Sequence, residues 1–221
     1  MPGVTTPRFA SRGSSSYDVL LALFCVVLVV SNIAATKGIE FGPVITDGGA
    51  FLFPLAYVLG DVISEVYGFR AARRAIVVGF AMAALAALTF LVVDAAPPAS
   101  FYENQEAFTS VLGFVPQIVL ASLLGYLVGQ LVNSWVLVRV KARTGEPHLW
   151  ARLIGSTGVG EAADTLIFCA IAAGVIGIST VGDFVTYAVV GYLYKVAVEI
   201  VLLPVTYRVI AFVKRREPSY A

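Results

Sequence analysis

The sequence predicts an all-α integral membrane protein of six transmembrane helices with both termini in the cytoplasm. Three observations carry that prediction. Of its 221 residues, 59% are hydrophobic and 13% charged, against about 25% charged in a soluble domain, and the mean hydropathy is +0.88. The apolar residues gather in six runs, at about 19–35, 50–67, 75–93, 111–138, 153–178 and 184–213. Each is near or above the roughly 20 residues that cross a bilayer core. The basic residues cluster in alternate connections, as they do in membrane proteins whose Lys and Arg stay in the cytoplasm.

Residues 1–16 are small, polar and basic, with Arg8 and Arg12, the composition of a disordered tail. The first run has basic residues ahead of it, as a signal peptide does. Its length and the spans that follow read instead as an uncleaved helix. The second run carries Asp61 and Glu65 and ends before Arg70, Arg73 and Arg74. The third is stopped by Pro97–Pro98, which cannot continue a helix. The fourth holds GQLVNSW, with Gln130, Asn133 and Trp135 toward its cytoplasmic end, and precedes Arg139, Lys141, Arg143 and Arg152. The fifth contains GEAADT, with Glu161 and Asp164, and the sixth YKVAVE, with Lys195 and Glu199, before Lys214, Arg215 and Arg216. The other connections are acidic or nearly neutral. The domain reading is a tail (1–16), a six-helix transmembrane domain (17–214) and a second tail (215–221).

The net charge of +1 suggests no nucleic-acid partner. The lone His148 sits in a polar loop, and Cys25 and Cys169 lie inside apolar runs without metal-ligand spacing. No H-E-x-x-H and no G-x-x-x-x-G-K-[ST] occurs. The sequence therefore reads as a non-enzyme without cofactor or metal. An aspartyl mechanism from Asp61 and Asp164, and a purely structural membrane protein, are the weaker readings.

A charge at the centre of a membrane helix costs about 2.5–3.5 kcal/mol on insertion scales. Five acids and one lysine at such depths must face each other, a cavity, water or a polar ligand. Asp61 and Glu65, and Lys195 and Glu199, are four apart; Glu161 and Asp164, and Gln130 and Asn133, are three apart. Each pair shares a helix face. Packing roles stand beside a binding role. Glu65 could pair with Arg70, Arg73 or Arg74, Lys195 with Glu199, and the two amides could bond between helices. LGDVISE, VGQLVNS and VGEAADT also echo one another. Their placement in two three-helix halves suggests an inverted repeat with a site at the midplane.

At these residues the chain resembles the queuosine precursor transporters, once called a vitamin uptake family. GDVISEVYGFRAARR, STGVGEAADTLIF and KVAVEIVLLPVTYRVI carry the resemblance, which covers residues 18–213. It implies six helices in the bacterial inner membrane and import of 7-deazaguanine precursors of queuosine, such as 7-cyano-7-deazaguanine. It also places Asp61, Glu65, Glu161, Asp164, Lys195 and Glu199 among the family's polar intramembrane groups. The chemistry is compatible. A deazaguanine edge offers a ring N–H and an amine that one carboxylate accepts together. Its oxygen needs a donor, such as Gln130, Asn133 or Lys195, and its flat ring suits Trp135, Tyr67 or Phe168. The expected substrate-binding set is Asp61, Glu65, Gln130, Asn133, Trp135, Glu161, Asp164, Lys195 and Glu199. The expected partners are the bilayer and this small molecule, with room for a homo-oligomer. The alternative is the substrate-binding subunit of an ATP-driven importer for another nucleobase- or vitamin-like molecule, its ATPase on a separate chain.

Overall fold

A computed structural model describes residues 9–11, 13–34, 36–41, 44–113, 116–145, 148–172 and 179–220. The helices are α1 (Ser15–Ala34), α2 (Phe53–Tyr67), α3 (Phe69–Ala95), α4 (Gln105–Leu112), α5 (Pro116–Thr144), α6 (Leu149–Ala172) and α7 (Val181–Arg216). Among the described residues, five of them, α1, α3, α5, α6 and α7, are long and apolar enough to cross a membrane.

The second apolar run divides. A 3-10 turn occupies Gly48–Phe51, and α2 has only 15 residues, about 22 Å at 1.5 Å per residue. That falls short of a bilayer core of about 30 Å. The fourth run also divides, because α4 ends at Leu112 and α5 begins at Pro116. A proline is tolerated in a first helical turn and breaks a helix elsewhere. The all-α architecture holds, with one short ribbon added. GIEF (β1, Gly38–Phe41) and VITD (β2, Val44–Asp47) pair antiparallel, with Ile39 opposite Thr46 and Glu40 opposite Ile45. Their β-branched residues suit a strand, and neither segment is long enough to signal one by periodicity.

Only Gly68 separates α2 from α3, at a φ of 79°. That left-handed conformation favours glycine, and a Cβ there would lie 3.1 Å from the Phe9 ring. Arg70, Arg73 and Arg74 consequently stand in the opening turns of α3 instead of a loop. α7 runs for 36 residues with Pro204 in its interior. Proline has no N–H, so the carbonyl of Ile200 loses its helical partner.

α2 is the buried helix, enclosed from Ala56 to Tyr67. Around it α3 and α7 expose apolar side chains, among them Val92 and Val201 at 71% and 76%. Such a surface suits lipid contact and not water. α5 and α6 approach through glycines. A Cβ on Gly160 would lie 2.7 Å from Asn133 Cβ and 2.8 Å from the Gly129 carbonyl oxygen. Small residues are what let membrane helices come this close.

The first and last described residues lie at one end of the bundle. The Ala10 N–H donates to the Val66 carbonyl (2.7 Å), the Ser11 N–H to Ser219 Oγ (2.9 Å), and the Tyr67 hydroxyl to Glu217 Oε1 (2.8 Å). The described parts of the two expected tails thus pack on the end of α2. Residues 1–8, 12 and 221, and 173–178 of the fifth run, lie outside the described residues.

The α5–α6 contact yields a stability prediction. Gly160→Ala inserts a methyl group into closed space and should cost about 1–3 kcal/mol, whereas Gly155, with no atom within 4 Å of its Cβ position, should accept alanine. Thermal unfolding of the detergent-solubilised protein should show a lowered Tm for the first variant alone.

Candidate functional site

Along α2, Phe53, Tyr57, Asp61 and Glu65 recur every four residues and so form a ladder on one face. The other helices place polar groups against successive rungs, and three levels result.

The upper level is a cavity of about 300 Å³ between α1, α2, α5, α6 and α7. Phe53, Tyr57 and Tyr126 form an aromatic wall, with ring centroids 4.9–5.6 Å apart and Tyr57 edge-on to Tyr126. Facing it are Glu161 and Asp164 of α6 and Lys195 and Glu199 of α7. Lys195 Nζ donates to Asp164 Oδ2, lies 3.3 Å from Glu161 Oε2 and sits 4.9 Å from the Phe53 ring centroid. Glu161 is 1% exposed. Neither of its oxygens has a hydrogen-bond partner among the described residues, nor do the buried Tyr57 hydroxyl and Thr165 Oγ1. Buried polar atoms are ordinarily paired. This set therefore stands ready for a ligand or water.

The middle level is smaller. Glu199 Oε2 accepts from Thr157 Oγ1 at 2.8 Å, and Asp61 Oδ1 accepts from Asn133 Nδ2 at 2.7 Å. Gln130 Nε2 donates to the Tyr126 hydroxyl at 3.1 Å and so braces the aromatic wall.

The lower level is an ion cluster. Arg152 grips Glu65 through both Nε (2.9 Å) and Nη2 (2.6 Å), Lys214 Nζ donates to it at 2.8 Å, and Lys141 Nζ lies 3.1 Å away. Lys141 also donates to the Glu65 carbonyl and to the Tyr220 hydroxyl. A bidentate guanidinium and two ammoniums thus surround this carboxylate with charge-assisted contacts.

Of the expected residues, Glu161, Asp164, Lys195 and Glu199 meet in the cavity. Asp61 and Asn133 lie just beneath it, and Gln130 touches its wall. Glu65 belongs to the lower cluster, paired with Lys141, Arg152 and Lys214 and not with Arg70, Arg73 or Arg74. Lys195 reaches across to α6 instead of pairing along α7 with Glu199. Trp135 is 52% exposed, away from the cavity. Of the other aromatics considered, Phe168 lines the cavity, while Tyr67 bonds Glu217 at the far end. Phe53, Tyr57 and Tyr126 were not foreseen. Their signal was present, since Tyr57 precedes Asp61 and Tyr126 precedes Gln130 by one helical turn.

A helical bundle with a lipid-type surface and a polar cavity among its helices is a multi-pass membrane protein. Residues 47–209 match the family model described as "Putative vitamin uptake transporter", and the chain belongs to that family. It is 31% identical over 182 residues to the "Probable queuosine precursor transporter" of Bacillus subtilis, covering 81% of this chain and 78% of that one. It is 28% identical to the "Queuosine precursor transporter" of Escherichia coli over 192 residues, 86% and 84% of the two chains. No solved structure matches it.

Glu65→Gln would leave three cations around a neutral amide. Removing one partner of a buried pair costs about 3–5 kcal/mol, so this variant should show a large drop in Tm in detergent. Trp135→Phe should leave the Tm nearly unchanged.

Proposed function

We propose that this chain imports queuosine precursors, 7-deazaguanines such as 7-cyano-7-deazaguanine, across the bacterial inner membrane. The names of the similar transporters suggest the substrate class. The observation that carries the reading is the buried carboxylate of Glu161, beside Lys195 but without a hydrogen bond among the described residues, opposite an aromatic wall. Its two oxygens suit the adjacent ring N–H and amine of a deazaguanine edge. Lys195, shared with Asp164, is the donor for the ring oxygen, and Phe53, Tyr57 and Tyr126 supply surfaces for a flat ring. Binding is assigned to Glu161, Asp164, Lys195 and these aromatics, with Gln130 holding Tyr126 in place. A volume of about 300 Å³ lies at the small end of the range for ligand sites.

In this proposal α2 acts as a sixth, short span. α1–α3 and α5–α7 form two inverted halves, in which α2 and α6 each bring acids to the midplane. The end that gathers residues 9–11 and 217–220, the α3 arginines and the lower ion cluster faces the cytoplasm, in keeping with the concentration of Lys and Arg there. The cavity then lies in the outer half of the membrane.

The test uses a bacterium that cannot synthesise the deazaguanine and lacks its own importer. With this chain expressed and 7-cyano-7-deazaguanine supplied, queuosine should reappear in tRNA. Glu161→Gln should reduce uptake by about 10- to 100-fold, the equivalent of the roughly 1.5–3 kcal/mol of a hydrogen bond to a charged group. Trp135→Ala should transport normally. Uptake undiminished by Glu161→Gln in correctly inserted protein would overturn the assignment.

A further inference from the structure

The acids of the bundle are unequally matched by cations. Lys141, Arg152 and Lys214 all converge on Glu65. Lys195 serves Glu161 and Asp164. Asp61 and Glu199 have no cation within 4 Å among the described residues.

These two acids line one small void of about 10 Å³, together with Thr157 and Thr206. The rest of its wall is apolar: Leu153, Ile154, Val196, Ile200 and Leu203. Asp61 is 2% exposed, and Glu199 Oε1 is buried without a hydrogen-bond partner among the described residues. The charged groups facing the pair are few. On α2, Glu65 stands one turn from Asp61, neutralised by its own cluster. On α6, Glu161 faces Glu199 across the cavity they both line. On α7, Lys195 stands one turn from Glu199 and is committed to α6. α5 offers only the uncharged Asn133. Two carboxylates in such a place cannot both remain ionised at low cost, and taking up a proton relieves them.

Asn133 supplies an independent indication. It is fully buried, its Nδ2 donates to Asp61, and its Oδ1 has no partner among the described residues. An amide can donate to an ionised carboxylate or, turned over, accept from a protonated one. It therefore serves Asp61 in either state. Glu199 lines both the cavity and the void, so a proton on it is within reach of the solute compartment.

We infer that Asp61 and Glu199 form a proton-binding site beneath the cavity, and that its proton moves inward with each solute molecule. The second half of this inference rests on the import proposed above. A carboxyl O–H forms with a proton taken from water on the cavity side. That O–H breaks as the proton passes to water on the cytoplasmic side, and the empty pair returns to accept another.

The test combines transport with infrared spectroscopy on the same purified full-length protein. In proteoliposomes, an inward proton gradient should accelerate 7-cyano-7-deazaguanine uptake, and a sodium gradient should not. Asp61→Asn should still take up the compound at a rate that no longer responds to the proton gradient. Uptake indifferent to the proton gradient, uptake driven by sodium instead, or an Asp61→Asn variant that keeps the gradient response would each overturn the inference. Absence of uptake under every gradient would count against the substrate reading, and the spectrum then decides the proton site. The carbonyl stretch of a protonated carboxyl should be present at neutral pH in the parent protein and reduced in both Asp61→Asn and Glu199→Gln. Spectra identical among the three proteins would overturn the site whatever the substrate.

Discussion

A carboxylate placed among lipid-embedded helices has to be met by a cation, by donors or by a proton, since water is not there to solvate it. α2 imposes that requirement repeatedly, and the other helices are arranged to meet it. The firmest answer is at Glu65. Its three cations come from the end of α5, the start of α6 and the end of α7, so one side chain ties three helices to α2. The chain ends add to the same closure, through Ala10 to Val66, Tyr67 to Glu217 and Lys141 to Tyr220. With this end fixed, the opposite end is free to hold a cavity.

The α5–α6 contact is what makes that cavity polar. Gly125, Gly129 and Gly160 bring the two backbones together, with Asp164 packed against the first two. The close approach turns Glu161 and Asp164 toward α2 and α7, where Lys195 meets them. A larger residue at these glycines would move the acids along with the helix that bears them. Packing and site chemistry therefore depend on the same few atoms.

Much of this was legible in the sequence, for reasons that are local. Helix existence follows from apolar run length, and the shared face of Asp61 and Glu65 follows from a spacing of four. What escaped was decided elsewhere in the chain. The partners of Glu65 lie 76, 87 and 149 residues away, whereas the arginines nearest in sequence point to other surroundings. Trp135 shares a motif with Asn133, but two residues on a helix are about 200° apart, so one turns inward and the other outward. Run boundaries misled where hydropathy ignores backbone limits. Ala50, Phe51 and Gly113 are apolar enough to extend a span, yet Ala50 and Phe51 lie in a 3-10 turn and α4 stops before Gly113. The β1–β2 ribbon left no periodic trace in two four-residue strands.

The shortness of α2 has a mechanical consequence. From Tyr57, in the cavity wall, to Glu65, in the sealed cluster, is eight residues, about 12 Å of helix rise. Only two turns of α2 therefore separate the cavity wall from the ion cluster, much less than the thickness of the membrane itself. On the import proposed above, the layers that part a solute at Glu161 from the cluster end would be the rungs of Asp61 and Glu65, so the barrier to its onward passage would consist of a few side chains on one helix face.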